Sequence, residues 1–281
     1  MEEYINDNGQ IIKKNAWSIS PDNRSFRYGD GCFETIKLIN NRIILADYHF
    51  QRLFNSLELL KFDRSKDLTS QRLSREILEL ANRNNHHQHA RVRLTFYRGE
   101  GGLYDEISQQ PNYLIQTWAQ LNDVNQLNNL GLAVDFFPDA RKAADRFSHI
   151  KSNNFLPYAM GALWAKQNQL DDAIILNSFG NVADATIANI FIVKDGTVYT
   201  PPLSEGLVNG VMRRYILKCL QEEGIPIHEA SVTREEVLQA SEVFFTNALY
   251  GLRWVRQVAK SNYACQMSTH LHQKFISSLF N

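Results

Sequence analysis

The stretch from Lys151 to Arg213 restricts the fold of this chain more than any other. After the lysine, a run of small and apolar residues at 157–169 has helical spacing, and DDAIILN (171–177) then reads as a strand. The turn residues SFGN follow, then an acid, Asp184, and a second apolar strand, NIFIV (189–193). KDG turns the chain into TVYT (197–200), Pro201-Pro202 ends that strand, and Gly210 opens a further helical stretch assigned to 208–223. Strands and helices alternating at this pace call for helices packed on a sheet.

The N-terminal part is α+β. Asn8-Gly9 supplies the positive φ of a tight hairpin between short apolar segments, and Asn40-Asn41 joins Phe33–Ile39 to Arg42–Leu45 in the same way. Phe50, Leu53, Phe54, Leu57 and Leu60 fall on one helical face, and a second helix over 70–83 points Leu73, Ile77 and Leu80 inward. Strands are expected at 92–96 and 113–119. The polar segment at 121–130 is too poor in apolar residues to bury and divides a small domain, 1–120, from a larger one, 131–281. In the larger part, further strands fall near 132–137 and 242–247 and a last helix at 266–279. Gly224 stops the 208–223 helix, and Thr233 with Glu236 forms a capping box.

Thirty basic and thirty acidic residues cancel, so bulk charge indicates neither nucleic acid nor an anionic membrane as partner. No apolar run reaches membrane-spanning length, and the acidic, polar start MEEYINDNGQ is unlike a signal peptide. Three cysteines, Cys32, Cys219 and Cys265, are odd in number and far apart, which suits a reducing cytoplasm.

Three blocks in order, FRYGDGCFETI (26–36), HFQRLFNSLELL (49–60) and the Lys151–Arg213 stretch, resemble the class IV aminotransferase family. These fold type IV enzymes depend on pyridoxal 5'-phosphate (PLP). They include branched-chain and D-amino-acid aminotransferases and 4-amino-4-deoxychorismate lyase. The resemblance implies a two-domain α+β / α/β fold like that of D-amino-acid aminotransferase, PLP in the cleft between the domains, a homodimer, and a small-molecule substrate.

Such an enzyme needs an amine, an anion site and a carboxylate at the ring nitrogen. By the resemblance, Lys151 in KSNNFL is the Schiff-base lysine and Arg52 in HFQRL grips the phosphate with its planar fork. Gly210, Val211 and Met212 offer helix-start N–H groups to the same phosphate. Met212 stands where the family often has threonine, so only its backbone can serve. Thr246 in FFTNA matches a family threonine near the phosphate. Asp184 replaces the family's glutamate at the ring nitrogen, with an arm one methylene shorter. Phe155 stands where branched-chain enzymes commonly place a tyrosine. Arg98, in FYRGEGGLY, resembles a segment near the substrate and is expected to receive a carboxylate. Arg27, Tyr28, Glu34 and Thr35 belong to the block lining the small-domain side, of which Tyr28 and Thr35 are assigned to the substrate. Phe33 and Ile36 are assigned to the core.

Outside the resemblance, HHQH (86–89) reads as a polar loop without the partners of a metal site, so none is expected. The glycines at 99–102 lack the spacing of a phosphate loop. TNALYGLRWVRQV (246–258) looks closer to the lyase than to the aminotransferases, and Phe155 and chain length lean the same way. The implied reaction is conversion of 4-amino-4-deoxychorismate to 4-aminobenzoate and pyruvate. An aminotransferase of branched-chain or D-amino acids is the alternative. The departures at Asp184 and Met212 also admit a PLP-binding chain without catalysis.

Overall fold

The computed structural model describes residues 2–120 and 126–280. They form two compact units: residues through 120 together with Ile150–Phe155, and residues from 126 to His149 and from Leu156 onward. Residues 121–125, the first half of the expected linker, lie outside the described ones. Ile150–Phe155 packs with the first unit, whereas the sequence placed it in the 131–281 part.

The first unit is a six-stranded sheet with two long helices on one face. Its strands are β1 (Tyr4–Asp7), β2 (Gln10–Lys13), β3 (Gly31–Ile39), β4 (Arg42–Ile43), β5 (His89–Tyr97) and β6 (Asn112–Ala119), in the order β2-β1-β6-β5-β3-β4. Asn8 and Gly9 take φ 52° and 91°, and Asn40 and Asn41 take 49° and 59°, as the two tight hairpins require. A short helix α1 (Arg24–Tyr28) is capped by Asn23, whose side chain accepts from the N–H of Ser25 and Phe26. Helices α2 (Ala46–Leu59) and α3 (Ser70–Arg83) bury Phe50, Leu53, Leu57, Leu73, Ile77 and Leu80 as read from the sequence, whereas Phe54 and Leu60, the latter the C-cap of α2, are only partly buried. Leu53, Leu57, Leu73, Ile77 and Leu80 meet the even-numbered residues Ile36, Leu38, Val92, Leu94 and Phe96 of the sheet. Alternation along β5 therefore sends the odd-numbered residues to the opposite face.

The second unit is built on a nine-stranded sheet. Its strands are β7 (Leu132–Phe136), β8 (Asp172–Leu176), β9 (Val182–Ala185), β10 (Asn189–Lys194), β11 (Thr197–Thr200), β12 (Ile227–Glu229), β13 (Glu242–Asn247), β14 (Gly251–Val258) and β15 (Ser261–Asn262). They run in the order β12-β11-β10-β13-β14-β7-β8-β9, and β15 pairs with β14. Around the sheet lie α4 (Leu156–Gln167), α5 (Val211–Glu222), α6 (Arg234–Gln239) and α7 (Gln266–Leu271). The expected capping box of Thr233 and Glu236 starts α6.

Three expectations change. The 208–223 helix starts only at Val211, because Gly210 has extended backbone and serves as its N-cap. The 266–279 helix is interrupted by a π-helical turn at His272–Ile276. Strands β9, β12 and β14 carry no apolar alternation that reveals them: Asp184 sits inside β9, and Arg253 and Arg256 inside β14. No described helix is long and apolar enough to cross a membrane.

Candidate active site

Lys151 is placed by β-type pairing within the first unit. Its carbonyl accepts from the N–H of Phe33 at 2.9 Å, and Asn153 N–H donates to the carbonyl of Gly31 at 3.0 Å. Asn153 also ties this strap down by donating from Nδ2 to Ser25 Oγ at 3.0 Å and to the Phe96 carbonyl at 3.2 Å. The lysine side chain then runs between two rings: Nζ lies 4.7 Å from the centroid of Phe33 and 5.2 Å from that of Phe155. Those rings meet edge to face at 5.4 Å. An ammonium against aromatic faces is attracted by their quadrupoles, so the bracket fixes where Nζ points.

Arg52 lies on the buried face of α2, one turn after His49. Its Nε donates to Glu34 Oε1 at 2.7 Å and its Nη2 to Glu34 Oε2 at 2.5 Å. Glu34 Oε2 also meets His49 Nδ1 at 2.6 Å. Burial alone would raise the Glu34 carboxyl, but Arg52 and His49 bring it down to about 2. Burial holds the His49 imidazole below its usual value. Glu34 is thus the group that sets the plane of Arg52, a role its position in β3 did not reveal.

In the second unit, Asp184 is 2% exposed. Its Oδ2 accepts from Tyr158 Oη at 2.8 Å and from the Val208 N–H at 3.0 Å, with Lys142 Nζ at 3.5 Å. Lys142 also donates to the Tyr158 hydroxyl. Its ammonium is pushed below the usual lysine range by burial, against the pull of Asp184. Asp184 Oδ1, in contrast, is buried with no hydrogen-bond partner. An unsatisfied buried carboxylate oxygen is costly, so the geometry is that of an acceptor awaiting a donor such as a pyridinium N–H.

A second such atom is Thr246 Oγ1, also buried without a partner. Thr246 pairs in register with Asn189 of β10. Asn189 donates to the Val208 carbonyl at 2.8 Å, and its Oδ1 would lie 1.8 Å from any Cβ built on Gly210. Glycine is required there by that close approach, its φ of −63° being ordinary. Helix α5 starts immediately afterwards with no side-chain cap, leaving Val211 and Met212 N–H at the positive end of a helix. Met212 itself is buried. The carboxylate oxygen, the hydroxyl and the uncapped helix start are the donor and acceptor set that PLP requires, so the residues present fit the cofactor.

Arg98 departs from its expected role. It is 5% exposed, and its guanidinium stacks 4.1 Å from the Phe62 centroid. It donates to Asp30 Oδ2 at 3.1 Å, to the Leu60 carbonyl at 2.6 Å and to Gln109. Its fork is taken up inside the first unit, where it ties β5 to neighbouring loops; it does not present itself to a substrate. Tyr28 is half-buried at the end of α1, with Arg24 and Arg27 at 5.5 Å and 5.2 Å from its ring. Thr35 shares the odd-numbered face of β3 with Phe33 and pairs with Arg93. Sequence reasoning left Phe33 in the core and passed over His49, Lys142 and Tyr158. Only the i, i+3 spacing of His49 and Arg52 on α2 could have signalled one of them.

The family model for amino-transferase class IV matches residues 31–258. The chain is 27% identical over 274 residues to aminodeoxychorismate lyase of Bacillus subtilis, covering 92% of this chain and 88% of that one. It is 25% identical over 253 residues to D-alanine aminotransferase of Bacillus licheniformis, covering 85% and 83%. Its fold matches the crystal structure of branched-chain aminotransferase from Thermoproteus uzoniensis with a TM-score of 0.88, at 23% identity and with coverage of 99% and 96%. The family's enzymes depend on PLP. On a match spanning residues 31–258, most of its length, this chain belongs to the class IV aminotransferase family.

Proposed function

We propose that this chain is a PLP-dependent lyase that converts 4-amino-4-deoxychorismate to 4-aminobenzoate and pyruvate. The observation that carries the reading is the bracket around Lys151, whose second wall is Phe155, a side chain without a hydroxyl. The likeness of residues 246–258 to the lyase and the long match to the B. subtilis lyase support it. In this reading Lys151 would hold the cofactor, Arg52, the N–H groups of Val211 and Met212 and Thr246 Oγ1 would serve its phosphate, and Asp184 Oδ1 would accept from its ring nitrogen. Bound there, PLP supplies a sink for the electron pair released when the amine-bearing carbon loses its proton.

The chain's own residues do the rest. Lys151 Nζ takes the proton from that carbon. Asp184, its Oδ2 held by donors from Tyr158, the Val208 N–H and Lys142, stabilises positive charge at the ring nitrogen. Lys151 then passes a proton to the departing enolpyruvyl group as its bond to the ring breaks. That group leaves as pyruvate and the ring becomes aromatic. A second reading, an aminotransferase, is favoured by the match to D-alanine aminotransferase; in it Lys151 would move the same proton and the product would be a keto acid. The test is incubation with aminodeoxychorismate, following 4-aminobenzoate, beside a panel of amino acids with 2-oxoglutarate. Product in the first arm supports the lyase. Turnover only of leucine or D-alanine in the second overturns it in favour of the aminotransferase.

A further inference from the structure

Asp184 is held against a cation that the proton transfers above do not use. Lys142 is 9% exposed, an unusual burial for a lysine. Its backbone is fixed along the end of β8: its N–H donates to the Leu176 carbonyl at 2.9 Å, and its carbonyl accepts from the Ser178 N–H at 3.0 Å. The next residue is fixed by close packing, since the Ala143 carbonyl would lie 2.4 Å from any Cβ built on Gly206. The side chain therefore enters the second unit from a segment held on both sides. There it meets Asp184 from β9 and Tyr158 from the first turn of α4.

The three groups stand in a row. Lys142 Nζ donates to the Tyr158 hydroxyl, and that hydroxyl donates to Asp184 Oδ2 at 2.8 Å. Nζ is itself 3.5 Å from the same oxygen and 4.9 Å from the Tyr158 ring centroid. Burial and the neighbouring Asp184 hold the Tyr158 hydroxyl well above its usual value, so it remains a donor. Among the described residues Lys142 is the one cation ion-paired with Asp184. All of this acts on Oδ2, whereas Oδ1 is buried with no hydrogen-bond partner among the described residues. The carboxylate thus has a charged side and an open side.

A carboxyl group and a ring nitrogen that meet in a buried site share one proton. It rests either on the nitrogen, leaving two opposite charges, or on the carboxyl, leaving none. Burial favours the second arrangement, because each charge loses its hydration. Only the first makes the ring an electron sink. A third charge decides between them. A cation at Oδ2 is nearer to the carboxylate than to a ring met through Oδ1, so it attracts the anion more than it repels the pyridinium. We propose that Lys142, bridged by Tyr158, is the positioning residue that keeps the shared proton on the cofactor's ring nitrogen and Asp184 its acceptor. The proposal rests on Asp184 meeting that nitrogen, and it holds whichever of the two reactions follows.

The test uses the holoenzyme loaded with PLP isotopically labelled at its ring nitrogen, whose NMR resonance lies far upfield when that nitrogen is protonated. The wild type should give the protonated signal at neutral pH. Lys142→Met should move it most of the way to the signal of a neutral pyridine. Lys142→Arg, which keeps the charge, should hold it at the wild-type position. Tyr158→Phe removes the bridge but not the charge, and should move the signal in the same direction by less. A residue that only supports the fold would lower the melting temperature and leave the resonance in place. A wild-type ring nitrogen without its proton overturns the proposal. So does a Lys142→Met signal that stays where the wild type's is or, should that variant not fold, an unmoved Tyr158→Phe signal. Asp184→Asn separates this failure from failure of the site. If it too leaves the signal in place, Asp184 is not at the ring nitrogen and both readings fall; if it alone moves the signal, Asp184 stands and only the role of Lys142 falls.

Discussion

Lys151 carries the amine, and its strap fixes where that amine points, so Lys151→Ala should abolish both the visible absorption of bound cofactor and all turnover. A borohydride-trappable adduct on another lysine, with Lys142 the nearest to Asp184, would contradict the assignment. Thr246→Ala should raise the cofactor dissociation constant by roughly fivefold, the worth of one hydrogen bond of about 1 kcal/mol. A merely structural threonine, whose Oγ1 is already unsatisfied, would lose nothing by that change. Arg98 behaves in the opposite way. Because its guanidinium is consumed by Asp30, Gln109 and the Leu60 carbonyl, Arg98→Ala should cost about 1–3 kcal/mol of stability, Asp30 keeping its bond from Arg24. Thermal or denaturant melts would show this, with little change in KM for enzyme that stays folded. The burial of Arg98 has a physical cause that was legible. It continues the even-numbered parity of Val92, Leu94 and Phe96, which points inward, whereas Arg93 has the odd parity of the opposite face.

Helix α2 was read correctly because Leu53 and Leu57 recur at helical spacing, but periodicity reports only which face is buried. It did not show that the same face carries a charged pair. Glu34 and Arg52 form that pair, and its pH dependence follows from the direction of the shift. The Glu34 carboxyl is lowered to about 2 in the folded chain from an ordinary value of 4.5. Its contribution to stability is therefore full above 4.5 and is lost as the pH falls through 2. Glu34→Gln should destabilise the chain by roughly 3 kcal/mol at neutral pH. The difference from wild type in denaturant melts should shrink as the pH is lowered through that window. A gap that stays constant with pH would show that the pair is not ionised as described. At the start of α5 the constraint is steric: Gly210→Ala should weaken cofactor binding, because Asn189 has to move. Adding Asn189→Ala should recover part of the loss, whereas two independent effects would add.

Both reactions open to this family use the same lysine, so the whole catalytic cycle, not any single contact, separates them. Elimination returns the cofactor to its starting form at every turnover, while transamination leaves it holding the amino group until a keto acid arrives. Sustained release of 4-aminobenzoate and pyruvate in equal amounts, without 2-oxoglutarate, is the expected outcome; a single burst that resumes only on adding keto acid would exclude the lyase. The family could be read from the chain because its blocks are local and ordered. What stayed hidden were relations across long sequence distances, such as the Phe33 ring shared by Arg93 and Lys151. The same property governs how the protein is made. The first unit is discontinuous: its sheet is complete in residues through 120, but Ile150–Phe155 must return to pair with Gly31 and Phe33. During synthesis the sheet and the Arg52–Glu34 pair can form before Lys151 has left the ribosome. The strap of six residues that carries Lys151 is the last piece of the first unit to be made, so that unit closes around the lysine only after its sheet is in place.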